Sequence, residues 1–335
     1  MQNLLDPAIL FFVFGVFAGA VRSNLEIPRS IAKFLSLYLL MALGLKGGFA
    51  LASSGFSGEV LVSLAAAIAL AFAVPALGYA FLRNRVSRYD AAAVAAAYGS
   101  VSAVTFVTAM QFLEGQGLAF GGHMVVAMVV MESPAIIMAV FLANALRQSG
   151  AGAVLASSGG GAVLGAPGPV ASVPLGRIIH ESFTDGAHLL LLGSMAIGYL
   201  SGDAGKAMMQ PFSGDLFKGL LAFFLLDMGL MVARNAADAR KASPALLAYA
   251  ALGPLVHAGL ALAMAWGLSL PVADAALLMV LAASASYIVV PAVLRYAIPE
   301  ANPAIYFGLS LGVTFPLNIL VGIPLYTAVA QRVLG

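Results

Sequence analysis

The residues best suited to chemistry stand in two short clusters inside otherwise apolar sequence. One reads Tyr98-Gly99-Ser100-Val101-Ser102-Ala103, the other Ala283-Ser284-Ala285-Ser286-Tyr287. Small and hydroxyl side chains replace bulky aliphatics here, and neither Ser-x-Ser has a neighbouring base that would make it a nucleophile. Hydroxyl donors beside the free N–H groups of a helix start suit a small anion instead. If each run is a helix broken at its cluster, two half-helix N-termini with positive dipole ends face one another. Pro291, just beyond the second cluster, disfavours an unbroken helix there. The expected binding residues are Gly99, Ser100, Val101, Ser102 and Ala103, with Ala283, Ser284, Ala285, Ser286 and Tyr287.

Four ionisable residues, Lys46, Glu132, Asp227 and His257, also lie well inside apolar runs. A charge at such a depth costs about 2.5–3.5 kcal/mol on insertion scales and needs a partner or a task. Glu132, just before Pro134, is the expected ligand of a coupling cation, with Thr105, Thr108 and Asn318 as companion oxygens. Lys46 and Asp227 fall close together when the two halves of the chain are aligned, and are expected either to neutralise each other or to take a functional role. His257 reads as a hydrogen-bonded core histidine. His123, His180 and His188 lie near run ends and lack the spacing of a metal site. The sequence holds no H-E-x-x-H, no Walker A loop, no G-x-S-x-G elbow and no intramembrane aspartate pair, so no enzyme and no cofactor are expected. The lack of a nucleotide motif points to energy drawn from a gradient.

These clusters must be positioned by membrane-spanning helices. Of 335 residues, 62% are hydrophobic and 9% charged, against roughly 25% charged in soluble domains. That balance excludes a soluble enzyme, a nucleic-acid binder and a disordered chain. Apolar runs of about the length needed to span a bilayer lie at about 7–21, 30–53, 59–82, 90–112, 121–146, 176–200, 215–234, 244–268, 272–295 and 302–331. None alternates like a barrel strand. The first run is short, and Phe17-Ala18-Gly19-Ala20 faintly resembles a cleavage site. Asp6, with no basic residue before the run, favours a retained helix instead. Alternate connections carry most of the Arg and Lys: Arg22 and Arg29; Arg83, Arg85 and Arg88; Arg147 and Arg177; Arg234, Arg240 and Lys241; Arg295. They are the expected cytoplasmic side of an inner membrane, with both termini outside.

The chain also repeats itself. Asp90-Ala91-Ala92 opens the fourth run and Asp274-Ala275-Ala276 the ninth, and from those anchors the two Ser-x-Ser clusters align at one spacing. Leu43-Gly44-Leu45 matches Met228-Gly229-Leu230, and Ser133-Pro134 matches Phe315-Pro316. The expected organisation is a first five-helix repeat at 1–147, a flexible cytoplasmic linker at 148–175 and a second repeat at 176–335. With five spans each, the repeats insert in opposite senses, as in secondary transporters whose sites lie where interrupted helices meet. The expected fold is thus all-α, with ten transmembrane helices in two inverted repeats and discontinuous helices four and nine.

Several segments together resemble the sodium-dependent bicarbonate permeases of cyanobacteria, the SbtA type. They are Gly99-Ser100-Val101-Ser102-Ala103-Val104-Thr105 followed by Gln111-Phe112-Leu113-Glu114, Ala282-Ala283-Ser284-Ala285-Ser286, Ile298-Pro299-Glu300-Ala301-Asn302-Pro303, Gly253-Pro254-Leu255-Val256-His257 and Ile179-His180-Glu181-Ser182. The resemblance covers essentially the whole chain. It implies core and gate domains moving as an elevator, bicarbonate between the broken helices with sodium close by, a homotrimer, and a PII-like cytoplasmic regulator. Tyr287 stands where the cyanobacterial proteins carry an aspartate, and Glu132 where they carry another. The expected function is import of a small anion, bicarbonate first, coupled to sodium. The alternatives are a sodium-coupled monocarboxylate symporter, with Tyr287 shaping a more apolar pocket, and a membrane anion sensor that carries nothing.

Overall fold

A computed structural model describes residues 6–55, 58–157, 186–239, 242–287 and 289–335. All its regular elements are helical. They are α1 (Pro7–Ala20), α2 (Arg29–Ser54), α3 (Gly58–Leu82), α4 (Arg88–Gly99), α5 (Ala103–Gly115), α6 (His123–Ser157), α7 (Gly186–Gln210), α8 (Leu216–Ala239), α9 (Pro244–Gly267), α10 (Val272–Ala283) and α11 (Val289–Ala297). A final helix, α12 (Pro303–Leu334), contains two π-helical turns at Ser310–Thr314 and Asn318–Gly322. Among the described residues seven helical stretches are long and apolar enough to cross a membrane, and α1 and α10 are shorter apolar helices. The chain is a multi-pass membrane protein.

Local chemistry explains several boundaries. Asp6, the one acid ahead of the first run, caps α1 by accepting the Ala8 N–H at 2.8 Å. Ser87 and Ser243 cap α4 and α9 in the same way. The π turns of α12 flank Phe315-Pro316, where a residue lacking an N–H interrupts the regular ladder. Helix α6 runs on through Ser157, into the stretch read as linker. The rest of that linker, Ile179-His180-Glu181-Ser182, Arg240 and Lys241 lie outside the described residues.

Glycine decides how the helices pair. A Cβ on Gly15 would stand 2.2 Å from the Leu226 carbonyl oxygen, and one on Gly229 2.2 Å from that of Phe12. Only glycine lets α1 and α8 approach so closely. The α2–α7 contact is built alike, with Gly44 against Leu191, Gly48 against Met195 and Gly198 against Leu45. In both pairs the contacts step forward together along the two chains, so α1 runs parallel to α8 and α2 parallel to α7. These four helices pack mainly on one another, while α3–α6 and α9–α12 form a second bundle.

The two repeat anchors have matching crosswise roles. Asp90 accepts the Asn302 N–H at 2.8 Å, at the start of α12. Asp274 accepts the Gly121 N–H at 2.7 Å, just ahead of α6. Each aspartate also sits in the first turn of its own helix, where negative charge offsets the dipole. Farther along α6, Arg147 grips Glu300 with two hydrogen bonds of 2.8 and 2.9 Å and reaches the Ala297 carbonyl at 2.9 Å. The guanidinium holds the Glu300 carboxyl below the usual carboxylate range.

Candidate functional site

Both hydroxyl clusters are breaks. Helix α4 ends at Gly99, Ser100 is extended (φ −96°, ψ 177°), and α5 begins after Ser102. Helix α10 ends at Ala283, with Ser284 equally extended (φ −82°, ψ 167°). The Pro75 ring lies against the end of the first: a Cβ on Gly99 would come within 2.6 Å of it. Pro291 sits in the opening turn of α11, where its missing N–H leaves no intrahelical bond unmade.

The breaks are stitched to each other. The Ser102 N–H donates to Ser284 Oγ at 3.0 Å, and the Ser286 N–H donates to the Ala97 carbonyl at 2.8 Å. Ser284 donates its own proton to the Leu281 carbonyl at 2.9 Å, so it has none left to offer an anion. Asn318, in a π turn of α12, closes the last carbonyl of α10: its Nδ2 donates to Ala283 O at 2.8 Å, and Tyr326 donates to its Oδ1 at 3.1 Å. Orphan carbonyls at a buried helix end need such partners. Asn318 is thus a clamp on the break, where the sequence suggested a cation ligand.

Ser102 and Ser286 do the opposite job. Ser102 Oγ accepts from the Thr105 N–H at 3.2 Å and from the Thr105 hydroxyl at 3.0 Å. Ser286 Oγ accepts from the Val290 N–H at 3.2 Å. A hydroxyl has one proton and two lone pairs, so each serine is fixed as an acceptor toward its helix and keeps its proton for something else. At the head of α5 the N–H groups of Ala103 and Val104 have no partner among the described residues. Two O–H and two N–H donors are therefore left unspent beside the helix starts at the two breaks, a setting that suits an oxyanion.

These donors face a cavity of about 80 Å³. About 10–15 Å³ of such space holds one water, so a ligand of a few heavy atoms fits. From the second bundle its walls take Val101, Ser102, Ala103, Met128, Glu132, Ser286 and Tyr287; from the first, Ser36 and Leu39 of α2, Leu191 of α7 and Phe224 of α8. The cavity thus lies between the two bundles. Of the sequence candidates, Val101, Ser102, Ala103, Ser286, Tyr287 and Glu132 meet on it. Gly99, Ser100, Ala283, Ser284 and Ala285 shape the crossing behind. The Tyr287 hydroxyl is buried beside Ser102 without a well-formed hydrogen bond, and its ring meets Phe315 edge-on at 5.3 Å.

The cation candidates separate. Glu132 is on the wall. Thr105 orients Ser102, and the Thr108 hydroxyl donates back to the Val104 carbonyl at 2.8 Å. Among the described residues no three His, Asp or Glu side chains gather as a metal site. Lys46 corrects the sequence reading: it pairs with Glu114 at 3.0 Å, not with Asp227. The expectation failed because helical register alone cannot say which neighbour a side chain reaches. His257 is a core residue as expected, buried and edge-on to Tyr249 at 5.9 Å. Ser36, Met128 and Phe224 went unnoticed because nothing marks them within apolar runs.

A family model described as the Na+-dependent bicarbonate transporter superfamily matches residues 7–331. The chain belongs to that superfamily. Its membership accounts for a multi-pass helical protein whose polar groups converge inside the apolar body. A comparison with curated proteins gave no match.

Proposed function

We propose that this member of the superfamily imports bicarbonate together with sodium through the inner membrane, by alternating access of one site between two moving bundles. The observation that carries the proposal is the cavity, walled by both helix breaks on one side and by α2, α7 and α8 on the other. Bicarbonate is a small oxyanion, and the donors of Ser102, Ser286, Ala103 and Val104 match its oxygens. The second bundle holds the serines of both breaks and Glu132, so it is the carrier; the α1–α2–α7–α8 bundle offers a wall that is apolar apart from Ser36 and is the gate. Sliding one past the other moves the loaded site as an elevator. The crosswise pairing of Asp90 and Asp274, and the parallel pairs α1–α8 and α2–α7, support two inverted repeats of five spans.

Sodium has an electrical reason. An inside-negative potential opposes entry of an anion by about 2.3 kcal/mol per charge per 100 mV, and one accompanying cation cancels that term. Glu132 is the carboxylate placed to attract it. Uptake of radiolabelled bicarbonate into proteoliposomes tests the proposal. It is expected to require an inward sodium gradient, and Glu132→Gln is expected to raise the sodium concentration needed for half-maximal rate. Uptake indifferent to sodium would overturn the coupling, and uptake of monocarboxylates in preference to bicarbonate would overturn the substrate.

A further inference from the structure

Lys46 on α2 reaches Glu114 at the far end of α5, its Nζ lying 3.0 Å from Oε1 and 3.2 Å from Oε2. The same ammonium stands 4.4 Å from the centroid of the Phe217 ring on α8. The pair therefore joins the two bundles, since α2 and α8 belong to the first and α5 to the second.

It does so at one end of the cavity. The wall includes Leu40 of α2 and Val107 of α5; Lys46 and Glu114 lie about 9–11 Å farther along those helices at 1.5 Å per residue. Here the bundles are also pressed together. A Cβ on Gly122, just ahead of α6, would lie 2.6 Å from the Gly47 carbonyl oxygen and 2.7 Å from the Leu51 nitrogen. In the other direction the wall continues to Ser36 and to Ala187 in the first turn of α7. The ion pair and the glycine contact thus join the bundles at the end opposite to Ser36 and Ala187.

We propose that Lys46–Glu114 is a latch that holds the two bundles together at this end and parts whenever the site turns to that side of the membrane. The inference rests on the alternating-access reading above. The side chains are 20% and 36% exposed, which suits a contact made and broken in every cycle. A deeply buried pair leaves uncompensated charges when it opens, whereas water reaches both of these. The Phe217 face adds a second hold on the ammonium.

The sequence has no cysteine, so Ser36→Cys supplies a single thiol on the cavity wall whose reactivity is read without any transport. In purified full-length protein in nanodiscs, modification by N-ethylmaleimide is expected to slow about 2- to 5-fold in Lys46→Met and in Glu114→Gln, the population change a pair of this exposure supports. The rate is expected to recover in the charge swap Lys46→Glu with Glu114→Lys. Equal rates in all backgrounds overturn the latch, whether or not bicarbonate is carried. A loss that the swap leaves uncorrected also overturns it, by assigning the effect to packing. A rate that slows and recovers in protein carrying no bicarbonate upholds the latch and overturns the transport reading alone.

Discussion

Each serine at the two breaks has its role decided by which of its hydrogen bonds are already made. Ser284 donates to the Leu281 carbonyl and accepts from Ser102, so no proton remains for an anion. Ser102 and Ser286 accept from their own helices and retain a proton. Removing both hydroxyls, as Ser102→Ala with Ser286→Ala, is expected to weaken bicarbonate uptake by roughly 100-fold or more, because each hydrogen bond to a charged group contributes about 1.5–3 kcal/mol. Proteoliposome flux against bicarbonate concentration checks it. Asn318→Ala acts on the scaffold instead. It strips the Ala283 carbonyl and the Tyr326 hydroxyl of their buried partner, and is expected to destabilise by about 1–3 kcal/mol in thermal unfolding. The clusters themselves stood out in the sequence, since hydroxyls are costly inside a bilayer. The division of labour within each Ser-x-Ser did not, because identical side chains differ only in the neighbours that folding supplies.

At the scale of elements, the breaks and the tight pairs have opposite requirements. A break needs partners for its orphan groups, and here each broken helix supplies them to the other through Ser102, Ser284, Ser286 and Ala97. A tight pair needs the absence of side chains. Gly48→Leu on α2 drives a side chain into the Met195 carbonyl, where even a Cβ would stand at 2.2 Å. The variant is expected to lose about 1–3 kcal/mol or more by overpacking, seen as a lower unfolding temperature. Gly259→Leu, whose Cβ meets nothing within 4 Å, is expected to leave that temperature unchanged. The glycine richness was visible as composition. Which glycines carry a helix contact became legible only once α2 and α7 were seen side by side.

For the whole molecule, the second bundle is tied across its length by side chains far apart in sequence. Arg147 and Glu300 link α6 to the approach of α12, and because the Glu300 carboxyl is held below its usual range, their contribution has a definite pH sign. It is fully present above the ordinary carboxylate range and is lost as pH falls through the lowered folded value. Screening of this partly exposed pair limits the effect to about 1 kcal/mol or less. The difference in unfolding temperature between the unaltered protein and Glu300→Gln is expected to shrink toward zero as the buffer is taken below about pH 4.

Composition and run length were enough to establish a helical membrane protein, because burying apolar helices in lipid is the only way such a chain can satisfy its backbone. Local spacing located the two interruptions, at the ends of α4 and α10. What needed the tertiary structure was each pairing between distant residues: Lys46 with Glu114, Asn318 with Ala283, and the wall that Ser36 and Phe224 add to the cavity. The physical reason is that in lipid the hydrophobic effect scarcely discriminates between helix faces, so small-residue contacts and a few polar bonds choose the partners. Those contacts join residues far apart in the chain, and sequence periodicity carries no record of them.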